Sequence, residues 1–402
     1  MKIMNSLQRN YFWFAIILFL FCSCNSNQDF EIPKYVQDLK NVLIYPVNAQ
    51  PVKKIHFQKE ISFGDSEDVL IGTISNAIVD LMGRVYISDN QRKKVHVFSP
   101  EGKYLKSLGN EGRGPGEFQF LGEMSIYSNQ LIVNDIVLFR MNVFSLETLE
   151  FVKAHNLQPS NQRDFDELNG LQPSQHFIIN DSLFIINFKP PRQLQLLDED
   201  RFIQYYIQNH EGEIISEKIL TQRDTPYLKA TIEGRTIPVT FTFLGQSLIA
   251  LSPDGMIHAA WSENFLIKKF NLAGGYKSSF YYPFKKRKLN RENVINISST
   301  MYQKNVLRNV DLPETWPAID NFFIDDENRF WVSTIIDADD MYEWWVLEPN
   351  GNLLATFRWE GNLLGYSREI QYVKNGKMYT WEMDDHTGQQ RIVRYQIEMK
   401  NI

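Results

Sequence analysis

The chain has 402 residues and a net charge of −6, from 42 Lys and Arg against 48 Asp and Glu. That balance argues against a general nucleic-acid binder, which needs a basic face. Two cysteines are too few for a disulfide framework or a cysteine-ligated metal.

The N-terminus reads as an export signal. Lys2 and Arg9 precede an unbroken apolar run, YFWFAIILFLF, at residues 11–21. The run is too short for a bilayer span, which takes roughly 20 residues as a helix, and it ends in Cys-Ser-Cys before a polar stretch. Residues 1–23 are therefore expected to be cleaved. The four residues Phe21, Cys22, Ser23 and Cys24 resemble a bacterial lipobox, with small Ser23 just before Cys24; Phe21 stands where Leu is usual. Cleavage would leave Cys24 N-terminal for lipidation. It would also remove Lys2 and Arg9, taking the net charge from −6 to −8, so the lipid and not bulk charge would make the membrane link. Residues 24–50, rich in Asn, Gln and Pro and without a clear period, read as a tether.

The body, residues 51–402, is repetitive. Residues 83–109, GRVYISDNQRKKVHVFSPEGKYLKSLG, give a turn, a strand, a polar loop, a second strand, a Pro-x-Gly turn and a third strand. Val, Ile, Tyr and Phe fill the strands, and Gly, Pro and Asn fill the turns, as a β-meander requires. The phrase recurs five times, with turn anchors at Gly83, Asn129, Asp181, Gly255, Asn328 and Gly376. A fourth strand precedes each anchor: GTISNAIVD, GEMSIYS, SQHFIIN, VTFTFLGQSLIALSP, AIDNFFIDD and REIQYVK. Six four-stranded antiparallel units at intervals of 46 to 74 residues predict an all-β, six-bladed β-propeller. The extra strand at 52–63 is expected to pair with the last blade and close the ring, removing open edges. Residues 273–311 break the rhythm and predict an insertion between blades 4 and 5, partly helical after Asn290.

Residues 84–118, with the Asp-Asn loop, the strand ending in Phe98, the Pro-x-Gly turn and the GRGPGEF linker, resemble an NHL-type repeat. With the lipobox in front, the chain resembles bacterial six-bladed β-propeller lipoproteins of the NHL-repeat or TolB-like type. The resemblance implies fold and envelope location, in the outer membrane with a periplasmic or surface-exposed body, and little about activity. It also bears on GNEGRGPGEF, residues 109–118. A dinucleotide loop needs a third glycine where Glu117 stands, and a helix after it; no GK[ST] follows for a P-loop. The stretch is expected to link blade 1 to blade 2.

In a propeller, the loops between the second and third strands share one face with the linkers between blades. On that face the sequence places Asp89 and Asn90, Arg113 in the linker, Asn134 and Asp135, residues 189–192, Ser262 and Glu263, residues 337–340 including Asp337, and Asp384, Asp385 and His386. Convergent carboxylates suit a hard cation such as Ca²⁺, or acid–base work by mutual pKa displacement. The competing reading is that Asp ends strands by turning the chain. Trp261, beside a loop, is the aromatic most expected to face a ligand. Lys285, Lys286, Arg287 and Lys288 form a basic cluster suited to an acidic partner. No His pair signals zinc, and no G-x-S-x-G elbow is present.

The function these features predict is binding or scaffolding. Ligand-binding residues are expected to be Asp89, Asn90, Arg113, Asp135, Trp261, Asp337, Asp384 and His386, and the ligand a protein, peptide or glycan. A monomer is expected. The alternative is a metal-assisted hydrolase or lactonase with carboxylates at the propeller mouth; a purely structural envelope role is the third reading.

Overall fold

The computed structural model describes residues 30–65, 68–191, 201–232, 234–364, 369–384 and 386–402. Cys24 and Asp385, and the signal and first tether residues, lie outside these. Among the described residues, five sheets carry four consecutive antiparallel strands each, in simple up-and-down order, and a sixth carries three. The blades span 74–108, 121–156, 172–223, 247–281, 319–360 and 370–401. The sixth borrows its outermost strand, Lys53–Phe63, from the N-terminal side, paired antiparallel with Gln390–Asn401. That is the expected closure.

Burial follows position in the blade. The second strands Val85–Asp89 and Phe330–Ile335 are buried at every residue, because both faces of a blade pack on neighbouring blades. The outer strand Phe151–Asn156 is largely exposed and carries the charge of Lys153 on its edge, which discourages edge pairing. The closing strand is held by charge as well as by its ladder. Glu60, at a bulge, pairs with Lys377 Nζ at 2.5 Å and Arg394 Nε at 2.8 Å. Burial raises the Glu60 carboxyl, but these two cations hold it below its ordinary value. Arg394 also donates to the Pro100 carbonyl, joining blade 6 to blade 1.

Two strand-to-strand turns share a buried clamp. In blade 1, Asp80 accepts from the Met82 and Arg84 backbone N–H groups, from Arg84 Nε at 2.6 Å and from the Tyr86 hydroxyl at 3.0 Å. In blade 5, Asp325 does the same with Glu327, Arg329 and, through Nε1 at 2.8 Å, Trp331. The turn passes through Gly83 (φ 82°) and Asn328 (φ 60°), residue types that tolerate this region.

One expected boundary moves, and the path of the tether becomes explicit. The described part of the tether enters the fold on blade 4: helix α1 (Lys34–Gln37) buries Val36 against Leu266 and Tyr281, and Val42–Ile44 adds a parallel strand to the blade's outer edge. The expected insertion starts later than residue 273, because Tyr276–Tyr281 is the fourth strand of blade 4. The true linker is 282–318. It holds helices α2 (Arg291–Ile297), capped by Asn290, and α3 (Met301–Arg308), capped by Thr300.

Candidate functional site

The loop carboxylates of blades 1 and 2 are staples. Asp89 is fully buried and accepts from the backbone N–H groups of Gly72 (2.7 Å), Thr73 (3.0 Å), Gln91 (3.0 Å) and Arg92 (3.1 Å). Burial would raise it, yet the His96 imidazole and these amides hold it at about 2. Asp135 takes the equivalent bonds from Gln119 (2.7 Å), Val137 (3.1 Å) and Leu138 (3.0 Å). Each ties the end of its strand to the chain entering the same blade. Asn90 ties blade 1 to blade 2, exchanging both amide bonds with Leu121 at 2.8 Å. Arg113 is exposed, and its carbonyl accepts from Arg140. Gly109 (φ 74°) turns the linker where a Cβ would stand 2.3 Å from the Phe118 ring, so this glycine run serves the chain's path.

The remaining predicted residues are dispersed. Asp384 accepts from the His386 (3.1 Å) and Thr387 (2.9 Å) backbone N–H groups of its own loop, and the His386 ring is exposed. Asp337 is 99% exposed and lies 3.6 Å from Arg287. Among the described residues, no group of three His, Cys, Asp or Glu is placed to hold a metal ion. Asp89, Asp135, Asp337 and Asp384 thus do not form a group of three or more with one another.

The basic cluster divides. Lys286 pairs with Glu263 at 2.6 Å. Arg287 is half-buried, donates to the Ala338 carbonyl at 2.7 Å, pairs with Asp339 and lies over Trp316. Arg291 donates to the Leu307 and Val310 carbonyls, closing the end of α3. Only Lys285 and Lys288 of the four predicted residues are exposed.

What gathers on the loop face is a cap built from linkers. The linker 224–246 folds into a hairpin, Leu228–Ile232 with Arg235–Val239. Its Phe241 stacks on Phe243 at 4.9 Å, and Phe243 meets Trp316 of the next linker edge-on. Ala230, Val294, Val306 and Leu307 join them in one buried cluster with Trp331 and Tyr342 of blade 5. Thr242 donates to the Leu363 carbonyl, so the linker between blades 5 and 6 is locked in too. Three consecutive linkers therefore cover one sector of the face.

Two cavities flank this cap. One, of about 780 Å³, is walled by Lys189, Pro190, Asp224, Tyr227, Tyr302 and Gln303 among others, drawn from blade 3, the hairpin linker and α3. Asp224 pairs with Arg201 at 3.4 Å; burial raises its carboxyl and Arg201 opposes that. The other, of about 600 Å³, runs between blades 5 and 6, with Trp359, Trp381 and Tyr395 beside Glu360, Glu369 and Glu382. Tyr395 donates to Glu382 at 2.7 Å and meets Trp359 edge-on at 5.3 Å. Burial, reinforced by the nearby Asp320 charge, pushes the Glu369 carboxyl up to about 7, against the backbone N–H groups of Glu369 and Asn362 that lower it. Sequence reading missed Glu369 because it sits in a strand entry with no motif around it. Trp261, the predicted aromatic, lines a third cavity between blades 3 and 4.

Comparison with known proteins supports the architecture. The DUF5128 model, described as a 6-bladed beta-propeller, matches residues 35–232. A Bacteroides fragilis protein whose name suggests export is similar over 90% of this chain and 99% of its own, at 12% identity and a TM-score of 0.52. A Bacteroides vulgatus member of the duf4221 family is similar over 87% and 100%, at 11% identity and a TM-score of 0.54. No curated protein matches. Among the described residues, no helix is long and apolar enough to cross a membrane. Taken with the strand order, these likenesses show one thing: the chain is an all-β, six-bladed propeller.

Proposed function

We propose that this protein is an exported, envelope-anchored propeller lipoprotein that binds a peptide, protein or glycan on its loop face. The observation that carries the reading is the cavity of about 780 Å³ beneath α3, because loops of separate blades and both long linkers converge to wall it. Sites of this size and mixed lining are typical of ligand clefts, and functional loops sit on rigid scaffolds in this way. The groove of Trp359, Trp381 and Tyr395 beside three glutamates extends the same face with surfaces on which a sugar ring or a peptide side chain can stack.

The anchor is supported by sequence and by where the chain enters the fold. Cys24 precedes α1 by ten residues, which reach at most about 35 Å. A lipid on Cys24 would keep the rim of blade 4 near the bilayer. The name of the Bacteroides fragilis neighbour is consistent with export of this chain. The binding reading is preferred over the metal-assisted hydrolase because three of the acids that reading needed, Asp89, Asp135 and Asp384, are bonded to backbone N–H groups near them in the chain, and the fourth, Asp337, is exposed beside Arg287.

The test is equilibrium binding of the full chain, in detergent, to immobilised oligosaccharides and peptides, repeated with Tyr302→Ala and Trp381→Ala. Binding weakened by Tyr302→Ala or Trp381→Ala supports the reading. Binding indifferent to both, or none to any probe, contradicts it.

A further inference from the structure

The third cavity, of about 360 Å³, lies between the outer strand of blade 3, Leu220–Arg223, and the middle strands of blade 4, with Tyr35 of α1 at its rim. Its charged lining runs against the composition of the protein. The chain is acidic overall, yet among the described residues that line this cavity the ionic side chains are Lys268 and Arg223, with no Asp or Glu. Ala259, Ala260, Leu266 and Phe270 make the walls apolar.

Lys268 is the anomaly. It sits half-buried mid-strand in Leu266–Phe270. The residues opposite it on the two flanking strands are Ala259 and Ser279. Its sequence neighbour Lys269 is paired, with Asp254 at 3.3 Å. Among the described residues, Lys268 has no carboxylate partner and makes no hydrogen bond with its side chain. Burial alone depresses its ammonium. An ammonium partly withdrawn from water without a counter-charge is less favourable than a solvated one, and an anion arriving from solvent offsets that cost. Around it, Arg223 lies over the Trp261 ring at 5.5 Å, at the exposed lip. The Thr221 hydroxyl and the Asn264 amide line the same space and make no side-chain hydrogen bonds among the described residues.

We infer that the cavity between blades 3 and 4 is a binding site for a small organic carboxylate. Its apolar or aromatic tail would lie against Trp261 and the alanine floor, and its carboxylate would lie against Lys268, with the Thr221 hydroxyl and the Asn264 amide beside it. The volume is at the lower end for ligand sites, which run from roughly 300 to 1,000 Å³, so the occupant is a small molecule and not a polymer segment. The site is separate from the cleft under α3 and stands or falls independently of it.

The experiment uses the full chain in detergent, with benzoate as the probe and benzamide, its uncharged isostere, as control. Calorimetric titration is expected to show benzoate binding and benzamide binding at least about tenfold more weakly, the scale of one lost charge-assisted contact. Lys268→Met is expected to weaken benzoate by a similar factor, and Lys268→Arg to retain it. The melting temperature of Lys268→Met is expected to match or exceed that of the parent, because an unpaired ammonium leaves; a merely structural lysine would lower it. Equal binding of benzoate and benzamide, no benzoate binding, or affinity unchanged in Lys268→Met would each overturn the assignment.

Discussion

Blades 1 and 2 and blades 4 and 5 are built on one plan and used differently. Between blades 1 and 2 the linker is 109–120, and its polar groups are spent on the chain itself: Glu117 folds back on the Gly114 N–H at 2.6 Å, and Arg140 donates to three linker carbonyls. Between blades 4 and 5 the linker is 282–318, long enough to form two helices and a share of a hydrophobic cluster. The lesson is that polar residues on the loop face do not mark the site. Where the linker is short they are staples, and where it is long the linker brings its own core and leaves cavities at its margins.

The largest expected effect lies in the shared plan. Asp325→Ala strips the counter-charge from Arg329 and the acceptor from buried Trp331 Nε1, so a loss of about 3–5 kcal/mol is expected, read by chemical denaturation. Asp80→Ala should cost a similar amount through Arg84 and Tyr86. If either costs less than about 1 kcal/mol, the two clamps are not equivalent.

The second effect separates the sectors by pH. Glu369 has a folded pKa of about 7, above its ordinary value of 4.5, so the folded state binds the extra proton between those limits. Stability then falls as pH rises from 4.5 to 7. Glu369→Gln should remove that slope and stabilise the protein by about 1–3 kcal/mol above pH 7. Asp89 has the opposite sign. Held at about 2 against an ordinary 3.8, it contributes above pH 3.8 and loses that contribution as pH falls towards 2. Asp89→Asn should therefore destabilise at neutral pH and flatten the acid limb. A Glu369→Gln variant with the parent's slope would remove the acid from the account.

The smallest effects sort the basic cluster. Lys285→Ala and Lys288→Ala should leave stability within about 0.5 kcal/mol. Arg287→Ala, which abandons Ala338, Asp339 and Trp316, should cost about 2 kcal/mol or more. Equal effects at all three positions would restore the reading of a single docking patch.

How far the sequence carried the fold depends on what each element shows locally. The blades were readable because turn chemistry punctuates them: Gly83, Asn328 and Gly376 all stand at positive φ between strands rich in Val, Ile and Tyr. The start of the linker between blades 4 and 5 was misplaced for the same kind of reason. The pair Gly274-Gly275 looks like a loop, yet Gly274 (φ 78°) only turns the chain into the last strand, where any Cβ would strike the Ile219 carbonyl. The packing of α1 was invisible because one buried residue, Val36, and a three-residue strand make no period. The candidate site was the least readable part. Asp89 and Asp135 draw on amides 16 or 17 residues upstream, and the Lys268 cavity brings together residues of blades 3 and 4 that only the folded chain places side by side.

The central claim is that the capped sector of the loop face, and not the rest of the ring, meets the ligand. It is tested most directly by placing a photo-crosslinking residue at Tyr302 on α3 and, in a second variant, at Leu105 on the outer strand of blade 1. These positions are comparably exposed, at 54% and 43%, so access alone does not favour either. Irradiated in the native envelope, the Tyr302 variant is predicted to give a defined adduct that the Leu105 variant lacks. An adduct from Leu105 and none from Tyr302 would contradict the account.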